Sequence, residues 1–378
     1  MAVLPEACSE IIQEFDSQGW HRTATGVDQQ SGRWLAHRLE SLGLAACLMP
    51  FPFSRIDPSA CSVSAGPFRV AAVPLMDSAL PAPDTTICGE FRPGSIGLVR
   101  AEAHGIATEL EHIRRDDYTA IVLVVAGPPN GVTLLNAWHY DEPRGVPTVQ
   151  VPVAAWDALV AARDGGVPVE VRCGGVRTET TASNVFATVA GTRPETAPIV
   201  LLTPRSGWWQ CVGERGGGLA IWIEVARLVG GLSLERDLIF LATTGHELGF
   251  IGVKRYLDSD PSLARRAVAW VHLGANIGAA GSQLVVRASD SGLLKLAREA
   301  TGALSAISPP PLFEVSGRPV GEAGEVFARG GAFVSMVGSG FPLFHSTLDR
   351  WPGAIDADAI AAAGDGVLQV LKALDRQP

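Results

Sequence analysis

Between residues 197 and 374 short apolar runs alternate with helical segments, and this alternation leaves few architectures open. Strands are expected at 197–202, 238–242, 267–272 and near 332–337; helices at 216–228, about 247–257, about 291–300 and 354–374. Apolar runs without a polar alternation suit strands covered on both faces, and helical crossovers between them make neighbouring strands parallel. The expected fold class is α/β, a doubly wound, mostly parallel sheet.

The first half of the chain follows other rules. Residues 6–46 look helical, with Leu35, Leu39 and Leu42 at spacings of four and three and Gly43 as the stop. From 66 to 185 short β runs at 120–125, 146–151 and 167–172 sit among many Pro and Gly, the pattern of an inserted β-rich domain. The expected organisation is one α/β domain from 1–65 and 186–378, interrupted by a β-rich domain over 66–185.

A net charge of −9 with scattered Lys and Arg offers no basic stripe for nucleic acid or an acidic membrane. Six cysteines lie far apart without a CxxC pair, which argues against closed zinc sites and redox dithiols. The N-terminal stretch is acidic and lacks a long apolar run, and no segment has 18 uninterrupted apolar residues. A cytoplasmic location is expected.

The chemistry concentrates where the 238–242 strand runs into Thr244-Gly-His246-Glu247-Leu-Gly-Phe250-Ile-Gly252. Titratable groups at the carboxyl end of a buried strand sit where open α/β sheets place ligands. The zinc motif H-E-x-x-H needs a second His at i+4, and that position here is Phe250.

Taken with the rest of the chain, this segment resembles the D-G-E-E-x-G-x-x-G run of the co-catalytic zinc exopeptidases. That family includes leucyl aminopeptidases, glutamate carboxypeptidase and the single-zinc glutaminyl cyclase. Gly213-Glu214-Arg-Gly-Gly-Gly218 resembles its G-A-x-D-N-x-S-G run, Phe344-His345-Ser-Thr-Leu-Asp349 its Y-H-T-x-x-D segment, and Gly19 to Gly26 its R-x-x-G entry. The β-rich insert resembles a protease-associated domain.

The resemblance implies metal ligands at Glu214, Glu247 and His345, and a proton-accepting residue at His246 in place of the family's Glu. The second metal's ligands are replaced at Thr203-Pro-Arg205-Ser-Gly-Trp208-Trp209 and at His272-Leu-Gly-Ala-Asn276, leaving His272 or Asn276 as substitutes. One divalent ion is therefore expected, zinc first and manganese second. Neutral imidazole can serve as a general base near neutral pH, and metal-bound water eases the demand on it.

Arg205 is expected to orient substrate, and Arg205 and Arg215 either bind a substrate carboxylate or form ordinary ion pairs, Glu214 among the partners. Trp208 either lines an aromatic pocket or packs in the core. His139-Tyr-Asp141 spells the family's H-x-D tripeptide about 75 residues too early, so His139 is read only as a substrate contact from the insert. Glu322 falls where the family often carries an acid near the substrate.

The expected activity is metal-dependent hydrolysis of an amide or peptide-like bond in a small substrate. Two alternatives stand beside it: a glutaminyl-cyclase-like intramolecular transfer, and a non-catalytic binding protein on the same fold. The expected partner is a small amide or peptide-like molecule, with no nucleic acid and no membrane; assembly as a homo-oligomer is left open.

Overall fold

The chain forms two sheets, seen in a computed structural model that describes residues 2–101, 117–302, 304 and 308–377. Two helices open it, α1 (Pro5–Ser17) and α2 (Gly26–Ser41), followed by a long strand β1 (Ala46–Pro58). Then come β2 (Cys61–Ala65), β3 (Phe68–Pro74), β4 (Thr85–Gly89), β5 (Ile96–Ala101), β6 (Ala120–Val125), β7 (Thr148–Val151), α3 (Trp156–Asp164) and β8 (Val169–Cys173). The long β9 (Gly175–Val189) leads into β10 (Ile199–Pro204), α4 (Gly217–Val229), β11 (Leu238–Thr243), α5 (Ile251–Ser259), α6 (Leu263–Arg266) and β12 (Ala269–Leu273). The chain closes with β13 (Gln283–Ala288), α7 (Ser291–Ala300), β14 (Leu312–Val315), α8 (Glu322–Ala328), β15 (Phe333–Ser339) and α9 (Ala357–Asp375).

The main sheet has eight strands in the order β1-β9-β11-β10-β12-β15-β13-β14. Its centre, β11-β10-β12-β15, is parallel, and these are the four strands read from the C-terminal apolar runs. Crossover helices bury both faces of such a sheet, so every residue of β10, β11 and β12 is buried. Helices α1, α4 and α9 contribute to one core cluster; Tyr256, Leu257, Ala323 and Val326 of α5 and α8 pack with Val200, Leu202 and Trp270 in another. The α/β class and the central parallel sheet agree with the sequence reading.

Three elements differ from that reading for identifiable reasons. The helix expected from 247 starts only at Ile251, because Gly245, Gly249 and Phe250 all adopt left-handed backbone; residues 246–248 make a single tight turn. The helical stretch 6–46 is broken between α1 and α2, where Gly19 (φ +109) and Ala24 (φ +60) turn the chain. Strand β1, left unassigned in the sequence reading, carries Pro50, Pro52 and Pro58, which are tolerated at a sheet edge that needs no further N–H donors.

The second sheet has seven strands, β4-β8-β2-β3-β7-β6-β5, with its own apolar cluster around Val63, Val122, Val149 and Val171. Its strands lie between residues 61 and 173, while β1 and β9 on either side pair antiparallel in the main sheet. Strand β2 thus precedes residue 66, and β9 runs across residue 185. Among the described residues no helix is long and apolar enough to cross a membrane.

The segment between α1 and α2 is anchored by His21. Its ring stacks on Phe15 at a centroid distance of 3.6 Å, and Nε2–H donates to the Phe15 carbonyl at 3.0 Å. Burial, with a further push from Arg205, lowers its pKa from 6.5 to about 3. The folded chain therefore prefers the neutral ring. The associated stability is intact above pH 6.5 and should fall by about 1.4 kcal/mol per pH unit as the pH drops toward about 3. Urea unfolding of the wild type and His21→Gln between pH 6.5 and 4.5 isolates this slope; equal slopes would mean that the ring accepts its proton without cost.

Candidate active site

The parallel strands β10, β11, β12 and β15 all point their carboxyl ends at one place, the position where such sheets bind ligands. Arg205 and Ser206 follow β10, the His246-Glu247 turn follows β11, and His345 lies a few residues beyond β15. Glu322 opens α8 and Glu214 sits in a π-helical turn, Val212–Gly216, that leads into α4.

His246 and Glu322 form one arm of the site. Imidazole Nδ1 lies 2.8 Å and 3.0 Å from the two Glu322 oxygens. A carboxylate accepts, so Nδ1 carries the proton and Nε2 is left as an acceptor. His272 donates from Nε2 to the same carboxylate at 3.2 Å and accepts at Nδ1 from Ser335 Oγ at 2.9 Å. Burial lifts the Glu322 pKa, but the two imidazoles outweigh it and hold the carboxyl well below its usual range. Burial and the Arg215 charge lower the His246 pKa, against the pull of Glu322 and Glu214, which favours the neutral ring at neutral pH. At 8% exposure His246 keeps a small open face, beside the Phe250 ring at 5.0 Å.

The other arm is Glu214, Arg215 and His345. The turn that presents Glu214 starts from Cys211 in left-handed backbone and is capped by Asp349, which accepts from Gly213 N at 2.5 Å and Glu214 N at 3.0 Å. Burial pushes the Asp349 carboxyl up to about 8. Arg215 Nη2 lies 2.7 Å from Glu214 Oε1, and its Nε donates to the Ser206 carbonyl at 2.7 Å. Burial raises the Glu214 pKa, yet Arg215 and His345 overcome it and bring the value down to about 2. His345 adopts φ +59; its Nδ1–H donates to the Leu134 carbonyl at 2.9 Å, which leaves Nε2 facing Glu214 Oε1 at 3.4 Å.

Glu247 is differently occupied. One oxygen accepts from Thr23 Oγ1 and the other from Ser206 Oγ, each at 2.7 Å. Ser206 Oγ also accepts from Gly245 N at 2.8 Å, so this hydroxyl ties β10 to the turn after β11. Glu214 and His345 face each other, but among the described residues no group of three or more His, Cys, Asp or Glu is arranged to hold a metal ion. Catalytic zinc takes three protein ligands and an open position. Here Glu247 is engaged by hydroxyls and a guanidinium occupies the flank of Glu214, so the donor set does not fit a resident divalent ion.

Other sequence expectations sort clearly. Arg205 does not face the site: it pairs with Asp28 at 2.6 Å and donates to the Asp28 and Ser183 carbonyls, at 1% exposure, because the buried Asp28 carboxylate demands a cation. Its role as a substrate-orienting group is corrected to an internal ion pair, while Arg215 pairs with Glu214. Trp208 packs in a core cluster with Phe51, Phe53 and Leu248 instead of lining a pocket. His139 donates its backbone N–H to Asp77 and stands in the second-sheet segment. Asn276 donates its backbone N–H to the Glu214 carbonyl at 3.0 Å, and its side chain turns to Gly338. The residues that sequence reasoning missed are Thr23, Asp28 and Ser206; hydroxyls and one Asp in polar stretches carry no periodic signal. Glu322, read as a weak substrate contact, is the direct partner of His246.

The loop 131–140, between β6 and β7, lies across both arms. Ala137 N donates to the Glu247 carbonyl, Leu134 N to the His345 carbonyl, and Thr133 bridges Ser346. Trp138 from this loop stays 39% exposed and meets Phe250 at 5.1 Å.

Residues 212–371 match the model of peptidase family M28. Among solved structures, the chain is similar to a zinc aminopeptidase from Bacillus subtilis at 15% identity, covering 97% of this chain and 93% of that one, with a TM-score of 0.81. An M28 peptidase precursor from Shewanella amazonensis SB2B gives 18% identity, 98% and 93% coverage and a TM-score of 0.79. A glutaminyl cyclase from Porphyromonas gingivalis gives 13% identity, 98% coverage of each chain and a TM-score of 0.53. No curated protein matches by sequence.

Proposed function

Because residues 212–371 match the model of peptidase family M28, we propose that the chain is a peptidase-like hydrolase of amide bonds in small substrates, with His246 as general base. The observation that carries this reading is the His246–Glu322 pair, which fixes the ring through Nδ1 and leaves Nε2 as the acceptor, near Arg215 and Glu214.

His246 Nε2 takes a proton from a water that attacks the carbonyl carbon. Glu322 holds the ring through Nδ1–H and stabilises the imidazolium that forms, the role an acidic partner plays beside a catalytic histidine. The carbon–nitrogen bond then breaks, and the same proton passes to the departing amine. Water supplies the new carboxyl oxygen, and no oxidant or reductant is needed.

The structures described as zinc enzymes carry that metal in their own names. A single zinc or manganese ion on Glu214, Glu247 and His345 is not favoured by the donor set, in which Arg215 flanks Glu214 and two hydroxyls hold Glu247. The strands between residues 61 and 173 are proposed as an inserted domain of the protease-associated type, which lends loop 131–140 to the site.

A panel of aminoacyl anilides, dipeptides, N-acyl amino acids and N-terminal glutaminyl peptides tests the proposal by mass spectrometry. Release of a free amine with uptake of one water from at least one amide is the expected result. Cyclisation of the glutaminyl peptides with loss of ammonia would assign the transferase reading instead. Binding without turnover across the panel would overturn the enzyme and leave a recognition protein.

A further inference from the structure

Five buried polar atoms cluster between the two arms: Glu214 Oε1, Arg215 Nη2 and His345 Nε2 meet one another only as ion pairs, without hydrogen-bond geometry, and Glu214 Oε2 and Arg215 Nη1 have no partner. Buried polar groups are rarely left so, and a concentration of them calls for an occupant or a role. A divalent ion would satisfy the two carboxylate oxygens and the imidazole nitrogen. It would not satisfy Nη1 and Nη2, which are donors, and it would be repelled by the guanidinium sharing the same carboxylate.

The guanidinium is fixed where it stands. Its Nε is bound to the Ser206 carbonyl and its side chain is fully buried. The balance of charge is also complete without an ion, since Arg215 offsets Glu214 while hydroxyls of Thr23 and Ser206 hold Glu247.

We infer that Arg215 is the resident cation of this site and stands in place of a divalent metal, so that the protein works without one. An occupant suited to the free Arg215 Nη1 and Glu214 Oε2 combines an acceptor with a donor. The carbonyl oxygen of an amide accepts from Nη1, and its N–H or a neighbouring ammonium donates to Glu214. This assignment of the ligand rests on the hydrolase reading above; the replacement of the metal does not.

Zinc uptake by the full chain tests the replacement without any substrate. Wild-type protein equilibrated with zinc, dialysed and measured by elemental analysis should retain substoichiometric metal. Arg215→Asn frees Glu214 and His345 and should bind zinc about 10–100-fold more tightly in competition with a chromophoric chelator, the size of change that groups around a metal ligand impose. Arg215→Lys keeps the charge and should stay as zinc-poor as the wild type, which covers the case in which the Asn variant fails to fold. One zinc per wild-type chain that survives dialysis would overturn the inference, as would equal zinc affinity in the wild type and Arg215→Asn.

Discussion

His246→Ala should lower turnover by about 10²–10⁴-fold on whichever amide the wild type hydrolyses, the usual contribution of a positioned general base. That corresponds to about 3–5 kcal/mol of lost transition-state stabilisation. The fold should survive, because Glu322 keeps its second donor, His272 Nε2 at 3.2 Å, and His246 is not part of a core cluster. Steady-state kinetics with circular dichroism checks both halves. The loss should fall on kcat with KM little changed, since the ring touches the attacking water and not the body of the substrate. Turnover equal to the wild type would remove His246 from the mechanism and leave the His246–Glu322 pair as structural.

The second large effect is on stability. Asp28 is fully buried and serves three partners: Arg205 Nη1 at 2.6 Å, Thr244 Oγ1 at 3.0 Å and Ala24 N at 2.8 Å. Burial opposes its charge and Arg205 supports it. Asp28→Ala removes the carboxylate and leaves a guanidinium at 1% exposure without its counter-charge. Breaking a buried pair in this way costs about 3–5 kcal/mol, much more than the pair contributes relative to an apolar replacement. Urea denaturation should show a loss of that size. Adding Arg205→Met to the same chain should recover part of it, because the two sites are in contact and their effects cannot add. A loss below 1 kcal/mol, judged against the surface range of about 0.5 kcal/mol, would mean that water reaches Arg205 in the folded state.

The central sheet was legible because its strands are covered on both faces. Residues 238–242 and 267–272 read as strands from composition alone, and the helices of the C-terminal half follow from spacing. The glycines were less legible. Gly245 and Gly249 mark a turn in sequence, but nothing there shows that Phe250 joins them in left-handed backbone and so delays the helix to Ile251. In the site, the order of Glu214, His246, Glu247 and His345 along the chain could be read, whereas their partners could not. Arg205 and Arg215 are equivalent as letters, and only tertiary packing hands one to Asp28 and the other to Glu214. Glu247 shows the same limit from the other side, since nothing in a sequence reveals that two hydroxyls from Thr23 and Ser206 claim its oxygens.

The tilt of the His345 ring is dictated from outside the sheet that bears it. Its Nδ1–H rests on the carbonyl of Leu134, a residue carried between β6 and β7 of the second sheet. A fragment built only from the main sheet would keep Glu214, Arg215, His246, Glu322 and His345, and yet release the one acceptor that aims the last of them. Beside the backbone links of Ala137, Leu134 and Thr133, this imidazole couples the two sheets: a displacement of loop 131–140 would bear on the setting of His345 against Glu214. The second sheet thus acts as a setting for the site's geometry, and its motions would be read there as changes in chemistry.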